Sequence, residues 1–269
     1  MVTHDHEGQD LLHTHVGWPL HAGGPHGTGP DGRVNQTLYE WEKKIPPSLL
    51  PLAHLEVWVD QPSDVPQPNT RTLTPGITVV VPSIPPRSKM LARAIDSILA
   101  QTRQPEFVIV AIDRDSEGAA FTRTRGLMQV ATEWTAFLDD DDELLPNHLE
   151  TLEACAADSR ADMVFPWFLV VGGQDPFPQH FGKQWDRNDP RQTTITFLVK
   201  TELAQRIGGF IEPGDAGLDS AGNRAGEDFR FVIRLSDAGG KIVHVPQRTW
   251  IYHHHQSNTS GMSWQQKYA

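Results

Sequence analysis

The segment Phe137-Leu-Asp-Asp-Asp-Asp142 places Asp139, Asp140, Asp141 and Asp142 directly after the last apolar residues of a strand-like run. Adjacent carboxylates repel one another, so a fold that keeps them together wants a cation among them. Hard divalent ions prefer oxygen ligands and keep room in their shell for waters and ligand phosphates. In open α/β sheets, ligands bind outside the carboxyl ends of the strands. An acidic strand end therefore predicts a metal ion and, through it, a phosphorylated ligand. The plain alternative is a solvated acidic turn that caps the next helix. The position after a hydrophobic strand favours the metal.

Two further groups have the types that chemistry needs. Glu227-Asp228 opens a helical pattern. A carboxylate there can take a proton from a hydroxyl, or simply complement a helix N-terminus. His253-His254-His255 follows the strand-like Trp250-Ile-Tyr252. Side chains alternate along a strand, so His253 and His255 share a face if the strand runs that far. Imidazole is an acceptable Mn²⁺ ligand, although oxygen is preferred. The bland reading is an exposed polar strand end.

Elements able to position these groups are legible from residue 77 onward. Ile77 to Pro82 is a short β-branched run that suits a buried parallel strand. Arg87 to Thr102 carries Met90, Leu91, Ala94, Ile95, Ile98 and Leu99 at helical spacing. Phe107 to Ile112 reads as a second strand, 119–131 as a helix, and Trp134 to Leu138 as a third strand. Pro146 to Ala157 reads as a helix with proline in its first turn. Alternating strands and helices predict an α/β domain with a parallel sheet. Farther on, Asp162 to Val171 and Thr194 to Val199 read as strands. Thr201 is placed to cap a short helix ending at Gly208-Gly209. Asp228 to Ala238 reads as a helix, and Ile242 to Val245 and Thr249 to Tyr252 as separate strands.

The first residues are different. His4, His6, His13, His15, His21 and His26 sit among glycines and prolines, and the segment 1–32 reads as a flexible arm. His4-x-His6 and His13-x-His15 are spaced to share an ion, but a solvated tail is the simpler reading. Residues 33–75 form an N-terminal extension that ends in a proline-rich linker. The main domain is expected at 76–269.

Composition excludes some classes. At 269 residues the chain fits one large domain plus an appendage, on a scale of ~150 residues per domain. Lys and Arg total 23 against 34 Asp and Glu, a net charge of -11 that disfavours nucleic acid as the main partner. No apolar run approaches the ~20 residues of a membrane span. No secretory leader is apparent. Cys155 is the only cysteine, so an internal disulfide or Cys-rich zinc site is excluded and a cytoplasmic location is expected. It reads as inert packing.

Several pieces in register resemble the donor half of a family 2 glycosyltransferase with the GT-A fold. They are "ITVVVPSIPPR", "ARAIDSILAQT", "FVIVAIDRDSEG" and "TRTRGLMQVATEWTAFLDDDDELLP". "FLVKTELAQRIGGF" and "AGEDFRFVIRLSDAGGKIVHVP" resemble its acceptor half. The resemblance covers most of 77–255. It implies a Rossmann-like mixed sheet, mostly parallel and flanked by helices, with a donor half at about 76–150 and an acceptor half at about 151–269. It also implies inverting transfer from a nucleotide-sugar, with UDP favoured, to an acceptor hydroxyl.

The same resemblance implies residue roles. Pro82 and Ser83 border the nucleotide, Asp113 meets the base, and Arg123 lies near the base or diphosphate. Asp139 and Asp140 face ribose and sugar, and Asp141 is the direct ligand of Mn²⁺ or Mg²⁺. Asp139, His253 and His255 are further metal candidates. Asp228, with Glu227 beside it, is the catalytic base. Trp185 is a candidate acceptor contact, since aromatics stack on sugar faces, although large aromatics are more often core. The sequence departs from the family at Arg114 and in "PSIPPR", which lacks the usual tyrosine-asparagine pair. That leaves the base contacts and the nucleotide open.

The acceptor is a protein, a glycan or a lipid-linked sugar. Size and the histidine-rich arm are similar to glycosyltransferases of actinobacterial phages, which adds virion proteins as candidates. A non-catalytic nucleotide-sugar or metal-binding module is the alternative of another class. A sugar nucleotidyltransferase is disfavoured, because "PSIPPRSK" has no glycine for a phosphate loop.

Overall fold

The computed structural model describes residues 54–59 as backbone, and 72–113, 117–189, 194–211 and 226–255. The histidine-rich arm, Arg114 and the segment from Gln256 onward lie outside the described residues. Strands β1 (His54–Val59), β2 (Thr74–Ser83), β3 (Phe107–Ile112) and β4 (Thr132–Phe137) make the first part of the sheet. Strands β5 (Glu143–Leu144), β6 (Met163–Val171), β7 (Leu198–Lys200) and β8 (Ile242–His253) make the rest. Helices α1 (Ser88–Leu99), α2 (Ala119–Gln129), α3 (His148–Ser159), α4 (Thr201–Arg206) and α5 (Glu227–Asp237) flank it.

Among the described residues the strands form one sheet in the order β1-β3-β2-β4-β7-β6-β8-β5. β1, β3, β2 and β4 run parallel, as do β6 and β8. β7 is antiparallel to β4 and β6, and β5 is antiparallel to β8. The fold is therefore a mixed, mostly parallel α/β sheet, as the sequence led us to expect. β1 lies in the segment 33–75 and pairs along the outer edge of β3. β5 pairs with β8, so the segments expected to serve donor and acceptor share one sheet.

Alternation along the buried strands feeds two cores. Ile77, Val79 and Val81 of β2 and Val108, Val110 and Ile112 of β3 face α1 and α3. Leu91, Ala94, Ile95 and Ile98, the stripe visible in the sequence, fill that side from α1. Val80 and Ile109 point the other way, into a cluster with Leu127, Phe137, Phe197, Phe210 and Phe231. Gly126 lets α2 approach β2 closely: a Cβ there would stand 2.5 Å from a methyl of Val80.

Four local expectations are corrected. Thr201 does not cap α4. Lys200 holds that position, and the Thr201 hydroxyl lies buried 2.8 Å from that of Thr135. Pro146 precedes α3 instead of opening it, and its carbonyl accepts the Thr102 amide at 2.8 Å. β7 begins at Leu198 and not at Thr194. The two strands expected after residue 241 are one continuous β8, whose pairing with β6 slips register around Trp167.

Candidate active site

The carboxyl ends of β2, β3 and β4 bring Ser83, Asp113 and Asp139 to one edge of the sheet. Just beyond β4 the acidic run turns inward. Asp140, Asp141 and Asp142 are all buried. Each is held differently, and protein cations share the work that the sequence assigned to a metal.

Asp140 organises the loop after β2. One oxygen accepts the Ser83 hydroxyl at 2.7 Å and the Ile84 amide at 3.3 Å, and the other accepts Arg87 Nη1 at 3.0 Å. Burial pushes its carboxyl up to about 7, Asp141 adds to the rise, and Arg87 and Ser83 oppose it. Arg87 Nη1 also lies 2.8 Å from Asp141 Oδ2. That same oxygen is 3.3 Å from His255 Nε2. Burial, then the charge of Asp139, raise Asp141. Asp142 accepts the His253 amide at 2.8 Å, and burial holds its carboxyl well above the usual carboxylate range.

Arginines grip both ends of the run. Arg123 on α2 donates from Nη2 to both oxygens of Asp139, at 2.8 and 3.1 Å. Its Nη1 donates to Glu227 at 2.8 Å. Burial works against its charge, but Asp139 and Glu227 outweigh that and hold the guanidinium protonated. Arg93 on α1 lies 3.1 Å from Glu143 and donates to the Asp141 carbonyl at 2.5 Å. Glu143 meets His253 Nε2 at 2.6 Å.

Asp228 stands beside Glu227 in the first turn of α5. One of its oxygens accepts the Phe229 amide at 2.9 Å. Burial and the charge of Glu227 push its carboxyl up to about 6, against the pull of Arg123. A carboxylate poised near neutrality suits a general base.

Thus Asp139, Asp140, Asp141, Glu227, Asp228, Arg123, Ser83 and His255 converge, and the other expected residues have structural partners of their own. Pro82 is buried within β2, opposite Ala111. Asp113 is buried too. Its two oxygens accept the amides of Glu117 at 3.1 Å and Gly118 at 2.9 Å, so it shapes the turn into α2. His253 is turned toward Glu143, and only His255 reaches Asp141. β8 ends at His253, and the alternation continues just far enough to leave His254 exposed between them. Trp185 is half-buried against the second core cluster with Ile195, Ile207 and Ile242.

Sequence reasoning missed Arg87, Arg93 and Asp142. Arg87 closes the very "PSIPPR" segment that departs from the family pattern. Arg93 lies one turn beyond it, on the polar side of the α1 stripe. Asp142 was visible in the run but had no reason to be preferred over Asp140.

The arrangement fits a divalent cation. Asp139, Asp141 and Asp142 each offer an oxygen, and these oxygens all lie within 4.8 Å of one another. An all-oxygen donor set of carboxylates suits Mg²⁺ or Mn²⁺.

Residues 112–211 match the family model described as Glycosyl transferase family 2. The succinoglycan biosynthesis protein ExoW of Rhizobium meliloti (strain 1021) is 31% identical over 159 residues, which is 49% of this chain and 48% of that protein. The chain thus spans about half the length of this curated relative. Among solved structures, S. aureus TarS 1-349 in complex with UDP-GlcNAc is similar with a TM-score of 0.59 at 18% identity, over 70% of this chain and 61% of that one. The complex of TarS 1-349 with UDP gives a TM-score of 0.56 at 18% identity, over 67% of this chain and 61% of that one. At such identity the likeness shows the fold. Residues 112–211 thus resemble glycosyl transferase family 2, and the fold around them is GT-A-like.

Proposed function

We propose that the chain moves a sugar from a nucleotide-sugar, with UDP as the favoured nucleotide, to an acceptor hydroxyl by a single inverting displacement. The observation that carries this reading is the Arg123 bridge, which ties the acidic strand end at Asp139 to the acidic pair at Glu227. A metal-competent cluster and a carboxylate raised toward neutrality are thereby held in one site. The UDP and UDP-GlcNAc complexes of TarS support the choice of donor.

Asp139, Asp141 and Asp142 would hold the Mn²⁺ or Mg²⁺, with His255 beside Asp141. When bound, the ion supplies Lewis-acid neutralisation of the departing diphosphate. The chain's own residues do the rest. Ser83 and Asp140 fix the loop that borders the nucleotide, and Asp113 fixes the turn beside it. Asp228 takes the proton of the acceptor hydroxyl as that oxygen bonds to the anomeric carbon and the bond from that carbon to the diphosphate breaks. Burial, with Glu227 beside it, raises the Asp228 carboxyl toward neutrality, which suits a base that must accept a proton.

In this reading residues 76–150 serve the donor and 151–269 the acceptor, with Trp185 on the acceptor side, and the protein works in the cytoplasm. No helix among the described residues is long and apolar enough to cross a membrane. The acceptor is a glycan, a protein or a lipid-linked sugar.

Thermal denaturation against a panel of nucleotide-sugars, with and without Mn²⁺, tests the proposal. A ligand that binds only the folded state raises the melting temperature by mass action. A metal-dependent rise with one nucleotide class is expected. A folded sample that responds to no donor overturns the reading.

A further inference from the structure

We propose that Arg87 is a built-in counter-cation that makes metal binding depend on the nucleotide. This rests on the glycosyltransferase reading above and goes beyond it. The observation is one nitrogen serving two carboxylates. Arg87 Nη1 lies 3.0 Å from Asp140 Oδ1 and 2.8 Å from Asp141 Oδ2, with the side chain 9% exposed. Asp141 is one of the carboxylates whose oxygens cluster to suit an ion. Asp140 is outside that cluster.

The other two arginines that touch the acidic run are fastened differently. Arg123 grips both oxygens of Asp139 with one arm and Glu227 with the other, so leaving Asp139 breaks a bidentate clasp. Arg93 rests on a main-chain carbonyl and on Glu143, and an ion on the clustered oxygens displaces neither contact. Arg87 can release Asp141 while its bond to Asp140 stays in place. It is the guanidinium whose retreat exposes a ligand oxygen at least cost.

A retreating buried guanidinium needs another anion. It keeps Asp140 but gives up one of its two carboxylates, and it then lies beside an incoming cation of like charge, which costs free energy. A metal ion arriving alone supplies no such anion, so Arg87 opposes it. A nucleoside diphosphate arriving with the metal does supply one. Guanidinium is permanently charged, and its planar fork matches phosphate oxygens. Arg87 then passes from Asp141 to the diphosphate. Metal and nucleotide become mutually dependent, and by linkage each raises the affinity of the other by the same factor. Without a metal, Arg87 offsets part of the charge of the buried run by pairing Asp140 and Asp141.

The test measures Mn²⁺ binding by the free-ion electron paramagnetic resonance signal, with and without UDP, for the full chain and for Arg87→Gln. The parent protein is expected to bind Mn²⁺ weakly alone and about tenfold or more tightly with UDP. Arg87→Gln is expected to bind Mn²⁺ alone more tightly than the parent and to lose most of the gain from UDP. Arg87→Lys, which keeps the charge without the fork, is expected to keep Mn²⁺ alone weak while lowering UDP affinity. This second variant carries the test if Arg87→Gln does not fold, and Mn²⁺ binding by Arg87→Lys without UDP at or above ten times parental affinity overturns the proposal. Equal Mn²⁺ affinity of parent and Arg87→Gln without UDP also overturns it and leaves the metal reading standing. Absence of Mn²⁺ binding by either protein, with or without UDP, overturns both.

Discussion

Asp139 and Glu227 are held by one guanidinium: Arg123 spans from the end of β4 to the first turn of α5, at 2.8 Å on each side. Removing Arg123 leaves two buried or half-buried carboxylates facing each other. Arg123→Ala is expected to cost about 3–5 kcal/mol in chemical denaturation, the range for removing one partner of a buried pair. Arg123→Lys should recover only part of this, because an ammonium cannot bridge both carboxylates with a planar fork. A loss under about 1 kcal/mol would mean that the bridge is ornamental.

As the proposed base, Asp228 should set an acid limb for transfer. Its carboxyl is pushed up to about 6 from a usual 3.8. The rate with saturating donor should therefore fall as pH drops through about 6, and Asp228→Asn should abolish transfer. Stability moves the opposite way. A carboxyl raised in the folded state favours the fold when protonated and penalises it once pH rises through 3.8 toward 6. Asp228→Asn should thus stabilise the protein at pH 7 by about 1–3 kcal/mol, a gain that vanishes below pH 4. Melting curves across pH would check this, and an Asn variant no more stable than the parent at pH 7 would contradict it.

Neighbouring aspartates should separate cleanly by mutation. Asp140 holds Ser83, Ile84 and Arg87, so Asp140→Ala should destabilise the protein by about 2–4 kcal/mol. Asp142 is buried against like charges and accepts the His253 amide. Asp142→Asn keeps that acceptor, so its melting temperature at pH 7 should match or exceed the parental value. Its Mn²⁺ affinity in the presence of UDP should drop about tenfold or more. Reversal of the two phenotypes would exchange the roles assigned to these residues.

His148 makes a different pH signature. It is fully buried, with Nδ1 2.8 Å from the Thr249 hydroxyl, and burial lowers it to about 3 from 6.5. The unfolded chain binds a proton below 6.5 that the folded chain refuses, so stability is lost between pH 6.5 and 3. The loss approaches about 3–5 kcal/mol at the acid end. His148→Asn should flatten this slope without touching the acid limb of the rate. Unchanged slopes in acid titrations of the two proteins would remove His148 as the cause.

Gly172 tests how the end of β8 is placed. It has a φ of +83°, and a Cβ there would stand 2.3 Å from the His254 carbonyl oxygen. Gly172→Ala must displace the segment that brings His255 to Asp141. A cost of about 1–3 kcal/mol and weaker Mn²⁺ binding are expected, whereas Gly182→Ala, also at positive φ but meeting nothing nearby, should leave metal affinity unchanged.

What could be read from the sequence followed from period and position. Val79–Val81 and Phe107–Ile112 were legible because buried parallel strands are continuous β-branched runs. The α1 stripe was legible because Leu91, Ala94, Ile95 and Ile98 return every turn. Asp139–Asp142 and Glu227-Asp228 stood out as charge where apolar runs stop. The counter-cations did not stand out, because an arginine in a loop looks the same whether it is solvated or aimed at a carboxylate 50 residues away. The role of Thr201 was hidden for a similar reason. A hydroxyl at a helix start reads as a cap, and only the pairing of β4 with β7 brings the Thr135 hydroxyl within reach of it.

The outermost strand has a consequence for handling this protein. β1 saturates one flank of Phe107-Val-Ile-Val-Ala-Ile112, a stretch without charge, proline or glycine. A version trimmed to start at residue 72, just before β2, would bare a row of unpaired amides and carbonyls on an adhesive hexapeptide. Such an edge recruits further chains by main-chain pairing. The six residues His54–Val59 should therefore cover that flank against self-association, and expression boundaries should keep them.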